Sequence, residues 1–498
     1  MFLVMAVYYG WRMFALTPWY DELYTYYYFI SRGPVYAAIH WPLPNNHVGY
    51  SVLSAFLNYL GNPYIGLRGV SYLCALANLW LVYRLADKYM AGWTPLGCVV
   101  LFASANLVNQ QAVQGRGYTL GVTCFLTAWL CMQSICGQEQ VKRRIYVIYV
   151  SALTLGLYTV TSNVYWVIPL CLAGGIYLLL AGIYEKSAIK KLIRLIAASL
   201  TAAVFTVILY TIIWLAIGSN LLVSDGESIY MGMGHVQMIL KNPFAAILRG
   251  MQYMLDTPYI QSEERAGFLG RFGEWLVNLA GYYFSFLPWL VLMILLLGAF
   301  IFLYIVIKKK EQLQGRLLYL VLSAEILFVP ICLLIQCKRP YYRVFTYGGV
   351  VLAFSIAALA ELFLRKLDQR RRDAVMLLTA GTIGLICFCF SGYNGQYGMQ
   401  EYYVQDALSH GNVEESSQLC VTDCNQEYLL LFQYGIRCEN REIEGTDLVL
   451  LDKRMTDPDF EEMVWEFYHY YDTIPWEYIN ENMTLTYENE GYVLYSLQ

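Results

Sequence analysis

The sequence predicts an all-α polytopic membrane bundle with a small α/β domain at its C-terminal end, and three observations carry that prediction. Of the 498 residues, 58% are hydrophobic and only 14% charged, with a mean hydropathy of +0.44. Soluble globular chains run at about 45–50% apolar and 25% charged. The apolar residues also gather into segments near the roughly 20 residues that cross a bilayer as a helix. Finally, charge is divided along the chain. Residues 393–498 hold 21 acidic and 4 basic side chains, whereas residues 1–392 hold 16 acidic and 29 basic.

The segments, in order, are 1–17, 66–86, 93–112, 117–136, 145–161, 163–184, 195–217, 276–306, 317–337, 344–364 and 374–392, about eleven transmembrane helices. The first lacks the basic flank and small-residue cleavage site of a signal peptide and reads as a retained helix. Threaded in order, the spans place the basic loops on one side. These carry Arg84 and Lys88; Lys142, Arg143 and Arg144; Lys186, Lys190, Lys191 and Arg194; Lys308, Lys309, Lys310 and Arg316; and Arg365, Lys366, Arg370, Arg371 and Arg372. The excess of Lys and Arg marks the cytoplasmic side. The expectation is an integral plasma-membrane protein with a cytoplasmic N-terminus. The loops 18–65 and 218–275, the short turn at 338–343 and the tail are then extracytoplasmic.

The tail, 393–498, reads as an acidic soluble domain. Leu419–Val421 and Asp447–Leu451 have the character of short buried strands, and Glu427–Tyr434 and Phe460–Tyr471 show helical spacing of apolar residues. Its acidity argues against nucleic acid or anionic lipid as its own partner. Ten of the thirteen cysteines lie in or beside spans, where Cys acts as a small apolar residue. Cys420, Cys424 and Cys438 leave room for one disulfide of unspecified pairing. No Cys or His pair completes a zinc spacing, so no metal site is expected.

The candidate chemistry gathers at the external border. Asp21-Glu22 follows the first apolar segment at once, after Thr17-Pro18-Trp19-Tyr20. An acidic pair there either marks the end of a span or serves a substrate that is part lipid and part water-soluble. The run from Tyr24 to Phe29 suits a helix lying in the interface. Trp41-Pro42-Leu43-Pro44-Asn45-Asn46-His47 is rigid and polar, and His47 is either solvated or part of a site. Arg116, in a near-absent loop, and Arg68, at the start of the second span, either snorkel to headgroups or offer a fork for phosphate. Lys338-Arg339-Pro340-Tyr341-Tyr342-Arg343 runs against the positive-inside trend and invites an anion at the outer surface. A carboxylate can take a proton from a hydroxyl nucleophile, and cations can offset charge on a departing phosphate.

These residues carry a family resemblance over roughly residues 1–365. Asp21-Glu22 after the first span, Pro44-Asn45-Asn46-His47, Leu67-Arg68 with Tyr83-Arg84, and Gln114-Gly115-Arg116-Gly117-Tyr118-Thr119-Leu120 stand in the order and spacing of the C-type membrane glycosyltransferases. The chain resembles the group that includes protein O-mannosyltransferases, the lipid A aminoarabinose transferase and the rhizobial galacturonosyl transferases. It departs at Val48, where the family has Pro or Leu, and at Gly115, where it has Ala. Tyr158–Ser162 also lacks the family's fifth-span His, and the tail has no counterpart.

The resemblance implies a polyprenyl-phosphate-linked sugar as donor, undecaprenyl in a bacterium, and a hydroxyl on a glycan, lipid or protein as acceptor, with membrane lipids around and no nucleic acid. It implies one inverting displacement with Asp21 as general base. Glu22 orients the acceptor or the helix carrying Asp21. Arg116, Lys338, Arg339 and Arg343 are the candidates for the donor phosphate, and His47, Arg68 and Tyr118 are further candidates to bind substrate. No nucleotide, cofactor or catalytic metal is implied. Two other readings stand beside it: a transporter or flippase of lipid-linked glycans, and a non-catalytic glycan-binding membrane protein. Transporters show internal repeats and polar sites near mid-bilayer. Here Glu325 is the main charged residue inside a span.

Overall fold

The computed structural model describes residues 1–498 apart from 41–44, 184, 223–227, 257–259, 309–312, 391–398, 412, 414–417, 422–423, 438–441 and 460–469. The chain begins with α1 (Phe2–Ala15). The first loop folds into α2 (Tyr20–Tyr28), a 3-10 turn at Ile30–Arg32, α3 (Pro34–Ile39) and α4 (Val48–Asn58). There follow α5 (Pro63–Ala86), α6 (Thr94–Ser104), α7 (Asn106–Gln111), α8 (Tyr118–Gly137), α9 (Arg143–Thr159), α10 (Val164–Gly182) and α11 (Lys186–Leu221). The second loop carries α12 (His235–Lys241) and α13 (Pro243–Asp256). The bundle closes with α14 (Phe268–Tyr283), α15 (Pro288–Lys308), α16 (Leu313–Gln336), α17 (Gly348–Phe363) and α18 (Gln369–Phe390).

Among the described residues, α5, α8, α10 with the turn before it, α11, α15, α16 and α18 are long and apolar enough to cross a membrane, and α1, α4, α6 and α17 are shorter apolar helices. Trp129, Trp166, Phe125 and Phe354 are fully buried at the bundle centre, whereas Leu200, Val204, Phe300 and Leu385 lie exposed on membrane-length helices. Apolar side chains outward as well as inward are the mark of helices solvated by lipid.

Two predicted spans are corrected. The run 276–306 is not one helix. It breaks into α14 and α15 because Phe284 turns extended and Pro288 begins the next helix; a proline disfavours helix at the residue before it. The run 93–112 breaks at the extended residue Ala105. The short α7 beyond it is polar and buried, and the Asn109 carbonyl accepts a 2.8 Å hydrogen bond from the buried Arg12 of α1.

The tail contributes α19 (Met399–His410), β1 (Leu419–Val421), α20 (Cys424–Tyr434), β2 (Leu448–Asp452), α21 (Trp476–Asn482), β3 (Met483–Glu488) and β4 (Tyr492–Leu497). The sheet order is β1-β2-β4-β3, with β1 parallel to β2 and the other pairs antiparallel. The two expected strands are present, and β3 and β4 join them. Successive residues of a strand face opposite sides. Leu448, Leu450 and Leu494 accordingly pack on α19 and α20, while Val449, Leu451 and Val493 pack on Met455 and Ile479. The expected helix 460–471 falls almost entirely outside the described residues, as does Cys438; Cys420 is buried.

The tail does not stand apart from the bundle. Val404, Leu408, Leu429 and Leu430 share one buried cluster with Leu23 and Ile30 of the first loop and Ala55 and Leu67. The aromatic face of α2, expected in the bilayer interface, is instead covered. Tyr428 stacks on Tyr20 and Tyr27, and Phe432 meets the edges of Tyr26 and Tyr64. Rings that suit an interface also suit a protein contact, because both bury the apolar body and leave the hydroxyl at a wet edge. The tail therefore sits on the same face as Asp21.

Candidate functional site

The site grows from the turn between α1 and α2. Leu16 is extended and ends α1, and Glu22, in the first turn of α2, accepts the Trp19 N–H at 2.9 Å. The other contacts of Glu22 are tertiary. Its Oε1 accepts Arg68 Nε at 2.8 Å and the Gly115 N–H at 2.6 Å, and its Oε2 accepts an Arg68 terminal nitrogen at 2.9 Å. Arg68 spends its remaining N–H groups on the carbonyls of Met13, Leu16 and Thr17, at 3.0, 2.7 and 3.2 Å. Both side chains are 0% exposed. Three chain segments thus meet on one buried ion pair. A Cβ at Gly115 would sit 2.5 Å from Leu67 Cδ1 and 3.1 Å from Glu22 Oε1, so a larger residue there would have to push Leu67 aside and crowd the pair.

In this structure Arg68 lies inside the fold, with its donors turned to protein acceptors. A guanidinium has five N–H donors, and here protein acceptors take all of them. The contacts of Glu22 tie the start of the helix that carries Asp21 to Arg68 of α5 and to the Gly115 turn.

Asp21, one residue before Glu22, turns the other way. Its carboxylate keeps 19% side-chain exposure and lies 2.9 Å from a terminal nitrogen of Arg343. Arg343 therefore neutralises the carboxylate at its buried Oδ2. The Arg343 guanidinium lies over the rings of Trp19 and Tyr341, at 4.7 and 4.8 Å from their centroids, a cation–π clamp that orients the fork.

Arg116 approaches from the other side. One terminal nitrogen donates to Thr25 Oγ1 at 2.6 Å and to the Asp21 carbonyl at 3.3 Å; the other lies 3.2 Å from His47 Nε2. The Gly117 N–H donates to His47 Nδ1 at 2.8 Å, so a neutral imidazole carries its proton on Nε2. That N–H and the Arg116 fork then face each other, two donors that a shared anionic oxygen would satisfy together. Burial, then the charges of Arg116 and Arg343, push the His47 imidazole well below its ordinary range. Tyr118 backs the ring edge-on at 4.9 Å, and Asn46, buried beside it, ties the loop to the Ala37 and His40 carbonyls. Pro44 of the same motif lies outside the described residues.

The predicted cations do not all assemble. Arg339 pairs with Glu263 at 2.5 Å, and Arg271 meets the same carboxylate at 3.1 Å. The Arg339 guanidinium holds the Glu263 carboxyl below the usual carboxylate range. Among the described residues Arg339 and Lys338 make no ion pair with Asp21. Arg116 and Arg343 are the ones that converge on it. Sequence reasoning missed Trp19, Thr25 and Tyr341, which aim those two arginines, and Glu401, which accepts the Tyr20 N–H at 2.8 Å. Thr17 and Gln405 add a second tether between the tail and this turn. Nothing local in residues 399–410 marks that helix as a partner of α2; only the docked tail reveals it. Among the described residues no cluster of His, Cys, Asp and Glu could hold a metal ion.

No family model matches the sequence, and no curated protein matches it. Solved structures do. The chain is similar to ArnT from Cupriavidus metallidurans bound to undecaprenyl phosphate, with a TM-score of 0.52 and 11% identity over 99% of this chain and 97% of that one. The same protein in the apo state gives a TM-score of 0.52 at 10% identity, with the same coverage. The apo form of the Archaeoglobus fulgidus oligosaccharyltransferase gives 0.50 at 11% identity, over 92% of this chain and 70% of that one. Against that oligosaccharyltransferase tethered to an acceptor peptide, the chain spans 60% of the partner's length. At these identities the likeness is one of fold: the chain shares the fold of these ArnT and oligosaccharyltransferase structures.

Proposed function

We propose that this protein transfers a sugar from a polyprenyl-phosphate donor to an acceptor hydroxyl at the membrane face that carries Asp21. The observation that carries the reading is the part-exposed Asp21 carboxylate, paired with Arg343, at a border where Arg116 and His47 present two converging donors. The acceptor oxygen attacks the anomeric carbon, and its proton passes to Asp21. The bond from the anomeric carbon to the phosphate oxygen breaks, and the electron pair leaves with the polyprenyl phosphate. One displacement inverts the anomeric centre. Fixed cations in a site shielded from water stabilise the charge growing on the departing phosphate more than they stabilise the ground state. Arg343 and Arg116 are the residues assigned to it, with His47 Nε2–H beside them. Glu22 and Arg68 position Asp21. A lipid phosphate held by side chains makes nucleotide and metal unnecessary to this scheme. Support from outside the site comes from the shared fold, since the ArnT structure it resembles holds undecaprenyl phosphate. By the positive-inside bias, the Asp21 face and the docked tail are extracytoplasmic.

The test is transfer from a synthetic polyprenyl-phosphate sugar to a membrane-impermeant acceptor in sealed vesicles of each orientation. Native protein transfers only where the Asp21 face meets the acceptor. Asp21→Asn, whose amide accepts no proton at neutral pH, loses roughly 10²–10⁴-fold in turnover while remaining folded. Near-native turnover by this variant would refute the general-base assignment, and transfer at the opposite face would refute the orientation.

A further inference from the structure

A groove outside the Asp21 site opens on the flank of the bundle. It runs between α9 and α11, has a volume of about 630 Å³, and is walled by apolar and small side chains such as Val147, Ala197 and Leu209. One end reaches Tyr158, next to Thr159, whose side chain packs on the Gly117 turn of the site. The other end is lined by Arg143 and Arg194, both exposed. From Arg143 to Tyr158 is fifteen residues of α9, about 22 Å at 1.5 Å per residue. The neighbouring α11 is of membrane length and its apolar run begins just past Arg194, so the arginines stand at the end of the groove away from the site. The hydroxyl of Tyr146 is buried beside Arg194 with no well-aligned hydrogen-bond partner. Lys142, Arg144, Lys190 and Lys191 stand within about a turn of these arginines on the same two segments, against Glu139 and Glu185.

We propose that this groove binds an anionic phospholipid of the leaflet opposite the site, its headgroup phosphate on Arg143, Arg194 and the Tyr146 hydroxyl and its acyl chains along α9 and α11. Basic pockets between transmembrane helices select anionic headgroups because the attraction adds to the burial of the chains. One leaflet contributes about half of a hydrocarbon core roughly 30 Å thick, so acyl chains entering at the arginines reach past the middle of the groove. The isoprenoid chain of a lipid-phosphate donor has no charge at its far end and leaves both arginines unexplained.

The experiment is native mass spectrometry of the full chain released from nanodiscs of equimolar phosphatidylglycerol and phosphatidylcholine. Retained lipid is expected to favour phosphatidylglycerol by roughly tenfold or more. Arg143→Gln/Arg194→Gln brings the ratio near one, Lys190→Gln keeps it, and Ala197→Trp, which fills the groove, loses both lipids. Size-exclusion profiles establish that each variant is folded. Four results overturn the proposal: a native ratio near one, a preference that survives the double substitution, an equal loss with Lys190→Gln, which would mean a diffuse basic surface, or displacement of the retained lipid by added polyprenyl phosphate, which would give the groove to the donor chain.

Discussion

Replacing Glu22 by Gln changes one carboxylate oxygen into an amide nitrogen and keeps the shape. The carboxylate accepts four N–H donors in the structure: Arg68 Nε and Gly115 N at Oε1, Arg68 Nη2 and Trp19 N at Oε2. That fills the roughly four lone-pair sites a carboxylate offers. An amide can keep the two donors at one position. At the other, its NH₂ faces two more donors, which lose their acceptor, and the Arg68 charge loses its counter-ion at a position 0% exposed on both sides. Breaking a buried pair by removing one charge costs about 3–5 kcal/mol. Arg68→Met should cost a similar amount, and the double variant less than the sum, since neither charge is then left alone. The assay is the unfolding midpoint in mixed micelles with increasing denaturing detergent, read beside transfer activity of the folded fraction. A Glu22→Gln protein within about 0.5 kcal/mol of native, the ordinary range for a surface substitution, but with collapsed turnover would refute the argument, because Glu22 would then act on substrate rather than pin the α1–α2 turn.

Three further outcomes follow from the same geometry. Arg343→Lys keeps the charge but loses the fork that lies over Trp19 and Tyr341, so donor KM should rise roughly tenfold while Arg343→Ala costs roughly 10²–10³ in kcat/KM; unchanged donor KM and turnover in the alanine variant would end the phosphate assignment. The folded protein keeps His47 neutral where an unfolded chain takes a proton below about pH 6.5. Stability is therefore unaffected by His47 above that pH and is lost as pH falls below it, by up to about 1.4 kcal/mol per pH unit. His47→Gln should show a correspondingly flatter slope between roughly pH 6.5 and 5.5, and an identical slope contradicts the burial argument. Glu401→Ala removes the acceptor of the Tyr20 N–H at the start of α2, a charged hydrogen bond of about 1.5–3 kcal/mol. It should lower kcat with donor KM little changed, and a loss of stability with kcat untouched would make Glu401 a docking contact alone.

Spans were legible because the signal is local: apolar length and charged loops need no knowledge of the partner. The error at 276–306 has the same origin, since hydropathy averages over Phe284–Pro288 and does not feel the backbone turn that Pro288 imposes. In the tail, the continuous apolar run of the central strand β2 was readable, whereas edge strand β3 exposes most of its residues and carried no such signal. Phe460–Tyr471 falls almost wholly outside the described residues and tells neither way.

In the site, residue type and order alone singled out Asp21, Glu22, His47, Arg68, Arg116 and Arg343. Charge at a membrane border is costly wherever the chain puts it, so it stands out without a structure. Which cation meets which acid was decided only by the tertiary fold. Arg68 is 46 residues from Glu22 and Arg116 is 69 from His47, and nothing in the spacing distinguishes a fully enclosed guanidinium from one open to substrate. Lys338, Arg339 and Arg343 carry the same charge within six residues. The 3-10 turn at Tyr342–Phe345 and the rings of Trp19 and Tyr341 carry Arg343 to Asp21, while Glu263 takes Arg339. Apolar segments and the carboxylate at their border are readable from residue type, because transfer energies are summed residue by residue. Pairing depends on distances of a few ångströms between segments far apart in the chain, and packing alone sets those.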